Sequence, residues 1–364
     1  MCVNTDLKQL IFDKINSGKR LSAEEGLALY ECKDLLWLSS LATYKRNQCS
    51  GEKVFYNRNF HIEPTNICVN DCVFCSYRRR EGEDGAWELS LDNVRKLCEP
   101  YIDKPITEVH VVGGVHPHRD IHFYASLLAE IKNLLPQVAI KAFTAVEIDY
   151  MSCKAGLSWK SGLQLLKENG LDALPGGGAE IFDETIRKQI CPSKADTETW
   201  LGVHEAAHSI GIRTNATMLF GHIETPQHRI DHLCRLRELQ DRTGGFDAFI
   251  PLKYKSQNNS LGAIGEISTL DVLRNFAVCR LFLDNIPHLK AYWPMLGKDV
   301  MQLALLFGVD DIDGTIDDST KIYSMAGAEE QHPSLSVDEL CRYVAAAGFQ
   351  PVERNTFYEE IILN

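Results

Sequence analysis

Nowhere in the 364 residues does an uninterrupted apolar run approach the roughly eighteen needed to cross a bilayer, so no membrane partner is expected. The first twenty residues hold Asp6, Lys8, Asp13 and Lys14 and no apolar core, so they do not read as a signal peptide. The expected setting is cytoplasmic. Positive charge is also short: 38 Lys and Arg against 50 Asp and Glu leave a net charge of −12. Such a surface repels phosphate backbones and argues against a nucleic-acid partner. An anionic small molecule stays compatible, since a few pocket cations suffice to hold it. There is no Gly-, Ser- or Pro-rich linker, no internal repeat and no low-complexity tract. With 45% hydrophobic residues the chain can build one large core. The simplest organisation is a helical extension over 1–50 packed on a single domain over 51–364.

What is present alternates. After helical patterns over 5–47, with a capping box at Ser22 and Glu25, short apolar runs alternate with amphipathic stretches. Expected strands cover 59–64, 108–113, 139–144, 173–175, 213–219, 248–252, 289–293 and 311–314. Between them, positions 124, 127, 128, 131, 134 and 135 follow a helical period. The α/β class follows, and eight strands suit a TIM-type (β/α)8 barrel, complete or partial. A doubly wound sheet would show the same alternation.

Twelve cysteines carry no sign of export, so disulfides are not expected, and nine of them are scattered singly. The other three, Cys68, Cys72 and Cys75, fall within eight residues, just after the first strand and Pro64. Barrels place active sites on loops at the C-terminal ends of strands. Three clustered thiolates suit a [4Fe–4S] cube that keeps one iron open to a small molecule such as S-adenosylmethionine. A zinc site would want a second ligand pair, and an electron-carrying cluster a fourth, distant cysteine.

Glycines close two later strands: Gly113-Gly114 after the second, and Gly176 to Gly178 ahead of Glu180 after the fourth. Such glycines let backbone approach a ligand, or simply turn tightly. Lys141 lies on the third strand. Arg213, Asn215 and Thr217 share one face of the fifth, which ends near His222. Arg213 could serve the pocket or sit at the exposed start of its strand, and His222 could be structural. Phe143, Leu219, Phe249 and Ile250 could wall a dry pocket or be only core, and Lys290, Tyr292 and Trp293 could close it.

At these residues the sequence resembles the radical S-adenosylmethionine enzymes that build menaquinone through futalosine. The matching segments are 61–77, 113–116, 140–148, 174–182, 213–225, 243–252 and 286–297. Lys141 to Glu147 and Lys290 to Trp293 favour the members that act on 3-[(1-carboxyvinyl)oxy]benzoate. The sister enzymes that cyclise a futalosine-derived nucleoside, or form a deazaflavin precursor, are the alternatives, and an iron–sulfur electron carrier is a further one. The resemblance implies a cluster on Cys68, Cys72 and Cys75. It also implies S-adenosylmethionine contacts from Phe74, Tyr77, Gly113, Gly114, Glu180 and Asn215. His61, Lys141, Arg213 and His222 become the candidates for substrate binding and catalysis. A low-potential donor of flavodoxin or ferredoxin type would supply the electron.

Overall fold

The computed structural model describes residues 5–362. The alternation folds as a parallel sheet of seven strands: β2 (Asn59–Ile62), β3 (Glu108–Val111), β4 (Ala139–Ala142), β5 (Ala173–Leu174), β6 (Arg213–Phe220), β7 (Phe246–Lys253) and β8 (His288–Leu289). Their spatial order is their chain order, with helices between. A doubly wound sheet reverses its order part-way, so that alternative is excluded. β5 and β8 are only two residues long. Pro175 follows the first and Pro287 precedes the second, and neither can donate to a ladder.

The expected eighth strand forms, but in a different sheet. β9 (Asp311–Gly314) pairs with β1 (Lys53–Asn57), which pairs with β10 (Gln350–Glu353), all parallel. β9 still closes the barrel position between β8 and β2. A single bridge joins Lys290 to Asp311. Across the other seam Thr315 Oγ1 donates to Asn59 O at 2.8 Å, and Ser319 Oγ accepts from His61 N at 2.7 Å. The complete eight-stranded ladder is therefore replaced by seven strands and a polar seam. β10 contains Pro351, which an edge strand tolerates.

The first three helices, Thr5–Asn16, Ala23–Glu31 and Leu35–Ser50, lie outside the barrel. Ser22 and Glu25 form the expected capping box. Helix Ala23–Glu31 packs on Pro226–Thr243 and Thr269–Phe282 so closely that a Cβ on Gly26 would lie 2.8 Å from Ile230 of the first and 2.7 Å from the Phe282 ring of the second. One apolar core runs from Ile11 through the barrel to Val344. No described helix is long and apolar enough to cross a membrane.

Candidate active site

The loop after β2 is tied down on three sides. Cys68 N donates to Arg79 O at 3.1 Å, Val69 N to Val115 O at 2.9 Å, and Val73 N to Ile190 O at 2.8 Å. These bonds hold Cys68, Cys72 and Cys75 on the wall of one cavity of about 130 Å³. Val115 N donates to Cys68 Sγ at 3.3 Å, which ties the sulfur to the loop after β3. Burial pushes the Cys72 thiol up to about 12. Among the described residues no group of three or more His, Cys, Asp or Glu converges as the ligands of one ion do. Three thiols spread around a cavity fit the corners of an iron–sulfur cube better than a single zinc. Cys191 is buried near enough to Cys72 to interact electrostatically, yet it is absent from the cavity wall.

A larger cavity of about 290 Å³ adjoins the first, and Phe74, Cys75, Tyr77, Gly113 and Lys194 border both. At this seam Lys194 Nζ donates to Glu180 Oε1 at 2.7 Å and lies 5.5 Å from the centroid of the Phe74 ring. Burial opposes its charge, but Cys72 and Glu180 together hold Lys194 well above the ordinary lysine range. Glu147 borders the thiol cavity and accepts from Gly113 N at 3.3 Å and Thr144 N at 2.7 Å. Burial raises its carboxyl to about 7, against the pull of those donors.

The far end of the larger cavity is polar and paired. Lys141 Nζ donates to Glu108 Oε2 at 2.7 Å, and Lys290 Nζ to Asp313 Oδ1 at 2.8 Å. Despite burial, Lys141 and Lys290 hold Glu108 well below the usual carboxylate range. His61 also lines this end, and burial lowers it to about 4, so it is neutral. The upper walls are apolar, with Leu219, Ile250, Leu252 and Met295.

Sequence comparison agrees with this geometry. A profile described as the Radical SAM superfamily matches residues 62–236, and one described as CofH/MqnC C-terminal region matches 243–363. Aminodeoxyfutalosine synthase of Thermus thermophilus is 45% identical over 355 residues, covering 96% of this chain and 95% of that protein. The chain belongs to the aminodeoxyfutalosine synthase family of radical SAM enzymes. Membership implies a four-iron cluster and S-adenosylmethionine, the groups that suit the three-thiol cavity. Cyclic dehypoxanthine futalosine synthase of Streptomyces coelicolor is a more distant relative at 35%, covering 98% of this chain and 89% of that protein. The fold is also that of methylornithine synthase, with TM-score 0.75 at 18% identity over 94% of this chain and 97% of that one.

Most of the family-suggested residues meet at the two cavities. Phe74, Tyr77, Gly113, Gly114, Glu180, Asn215, Lys141 and His61 all line one or both. Two do not. Arg213 lies at the N-terminal start of β6, its side chain 39% exposed, where Nε donates to Asp247 Oδ1 at 2.8 Å and Nη1 to Gly244 O at 2.6 Å. Of the two places open to it from the sequence, the pocket and the exposed start of the strand, it takes the second. His222 is wedged between Glu224 Oε2 at 3.2 Å and Leu219 O at 3.1 Å, outside both cavities. Its place is structural. Of the expected apolar wall, Leu219 and Ile250 line the cavity while Phe143 and Phe249 stay in the core. Lys290 and Tyr292 line it, whereas Trp293 is buried with Nε1 donating to Gly314 O at 2.9 Å.

Arg213→Ala is therefore expected to leave substrate KM unchanged. It should cost roughly 0–1 kcal/mol of stability, as a half-exposed ion pair does. Steady-state kinetics and a denaturant melt read the two effects separately. A raised KM would return Arg213 to the site.

Sequence reasoning also missed His110 and Lys194, both cavity residues. His110 was within reach, because it sits two residues from Glu108 on β3 and so shares its face. Lys194 comes from the loop after helix Glu184–Ile190, and no local pattern marks it.

Proposed function

We propose that the chain joins the 5′-deoxyadenosyl group of S-adenosylmethionine to the vinyl carbon of 3-[(1-carboxyvinyl)oxy]benzoate. Rearrangement onto the arene and loss of the vinyl carboxylate as CO2 or bicarbonate, with the electron that split S-adenosylmethionine given back in that loss, give aminodeoxyfutalosine, with methionine released. The observation that carries this reading is the direct adjoining of a three-thiol cavity to a larger chamber with Lys141 and Lys290 on the walls away from the thiols. Greater identity to the Thermus synthase than to the cyclising enzyme supports the choice between sisters.

Cys68, Cys72 and Cys75 would hold the cluster, which when bound supplies the electron that splits S-adenosylmethionine. The chain's own residues then bind and orient. Gly113 would meet the methionine amino group, and Phe74 and Tyr77 flank it. Glu180, fixed by Lys194, would receive the ribose hydroxyls, with Asn215 further along the wall. Leu219, Ile250 and Leu252 exclude water, so that the reacting carbons meet before hydrogen is abstracted elsewhere. The electron would come from a low-potential flavodoxin- or ferredoxin-type protein, in a cytoplasmic setting.

The test is anaerobic incubation of reduced, cluster-loaded protein with both substrates, followed by mass spectrometry. The expected result is an adduct that consumes the deoxyadenosyl group. No adduct here, but free 5′-deoxyadenosine when the futalosine-derived nucleoside replaces the benzoate, would point to the cyclising sister reaction instead.

A further inference from the structure

We infer that the far end of the larger cavity is a subsite for the carboxylate on the substrate's aromatic ring, formed by His61, His110, Lys141 and Lys290. This rests on the substrate reading above and adds to it which end of the substrate lies where. His110 is the specificity-determining member.

Three of the four residues form one row across the sheet: His61 on β2 pairs in register with His110 on β3, and His110 with Lys141 on β4. The two imidazoles lie 4.7 Å apart, centroid to centroid. Lys290 comes from the strand end that meets β9. All four line the cavity, and none borders the thiol cavity.

Donors at this end outnumber their acceptors. Each lysine has three N–H bonds; Lys141 spends one on Glu108, and Lys290 one on Asp313 with Asp311 farther off at 3.7 Å. The acidic partners are held from behind by the C-terminal segment: Thr356 Oγ1 donates to Glu108 Oε2 at 2.8 Å, and Arg354 Nε to Asp311 Oδ2 at 2.6 Å. The carboxylates therefore have other claims on their lone pairs. His61 Nε2 and His110 Nε2 are buried with no hydrogen-bond partner among the described residues, and His61 is only 5% exposed. A native structure rarely leaves such atoms open without a use, since a buried polar atom with no partner is costly. Burial keeps both imidazoles neutral. In the tautomer that carries its N–H on Nε2, each neutral imidazole presents a donor here, and a group that only accepts hydrogen bonds satisfies those N–H bonds and the spare lysine ones together. A carboxylate does; an amide brings its own N–H bonds against them.

The direction follows from the reaction. The vinyl carbon must lie at the seam with the thiol cavity, where the deoxyadenosyl group arises. The ring carboxylate, meta to the ether oxygen, then points away from that seam toward the row of histidines.

The experiment uses cluster-loaded protein with S-adenosylmethionine and two probes, 3-methoxybenzoate and 3-methoxybenzamide, in anaerobic calorimetry. Wild type should bind the acid much more tightly than the amide. His110→Leu should weaken acid binding ~10–100-fold, the worth of a buried hydrogen bond to a charged group, and compress the preference. His110→Gln, which keeps a donor, should recover part of it. Lys290→Met would strand Asp313, so His61→Leu is the second variant, in case the first misfolds. The S-adenosylmethionine-induced change in the reduced cluster's EPR spectrum reports that each variant is assembled. Equal acid affinity in wild type and both assembled variants overturns the subsite alone. Wild type that binds neither the acid nor the full substrate overturns the functional reading, and the subsite with it.

Discussion

Cys72→Ala is expected to lose the cluster and all cleavage of S-adenosylmethionine while keeping its fold. The thiol is 8% exposed and its removal deletes one heavy atom, a loss of about 1 kcal/mol that a core of this size absorbs. The loop does not depend on the sulfur either. Val73 N to Ile190 O and Asp71 N to Ser193 Oγ, at 2.7 Å, hold it by other atoms. What disappears is one of three cluster ligands. Iron and sulfide analysis after anaerobic reconstitution, with circular dichroism for the fold, reads the two effects apart. The partner variant is Cys191→Ala. Cys191 is the buried thiol that interacts with Cys72, so it is the one a fully protein-ligated electron carrier would recruit. It should keep its cluster and its cleavage activity. Iron retained by Cys72→Ala, or lost by Cys191→Ala, would sink the assignment of an open iron corner.

How far the sequence could be read depended on how local each signal is. The cysteine loop was legible because its three ligands and Pro64 lie within twelve residues, and spacing alone brings them together. β6 was legible by face: Asn215 and Thr217 both line the cavity, as alternation requires. Depth was not, because a period of two does not say which end of a strand meets the ligand, and Arg213 went to the outer end. The eighth strand was found but not its partners. β9 pairs with β1 near one end of the chain, and β1 pairs with β10 near the other. β10 reads Gln-Pro-Val-Glu, which has neither alternation nor a free donor at Pro351. The polar row at the cavity's far end was half seen for a similar reason. Lys141 and His61 stood out singly, while their placement beside His110 is a matter of register between strands whose paired residues lie 49 and 31 positions apart.

The paired glycines after β3 carry the other large expected effect. Read from sequence, Gly113 and Gly114 let backbone approach a ligand; in the fold the nearer neighbour is the cysteine loop itself. A Cβ on Gly114 would stand 2.3 Å from Ile67 O and 2.8 Å from its carbonyl carbon, while one on Gly113 would stand 2.7 Å from Thr65 O. These are backbone atoms and cannot rotate away. Gly114 N also donates to Thr65 O at 2.7 Å, so the two segments are already at contact. Gly114→Ala must therefore push residues 65–67 outward, at a cost of roughly 1–3 kcal/mol, as overpacking does. Cys68 is the next residue, and its bond from Val115 would stretch with the shift. Lower iron per chain and faster loss of cluster to a chelator are expected, with Gly113→Ala affected less. If these glycines instead serve only ligand approach, both variants would keep a full cluster and lose affinity for S-adenosylmethionine, with Gly113→Ala, which borders both cavities, the worse.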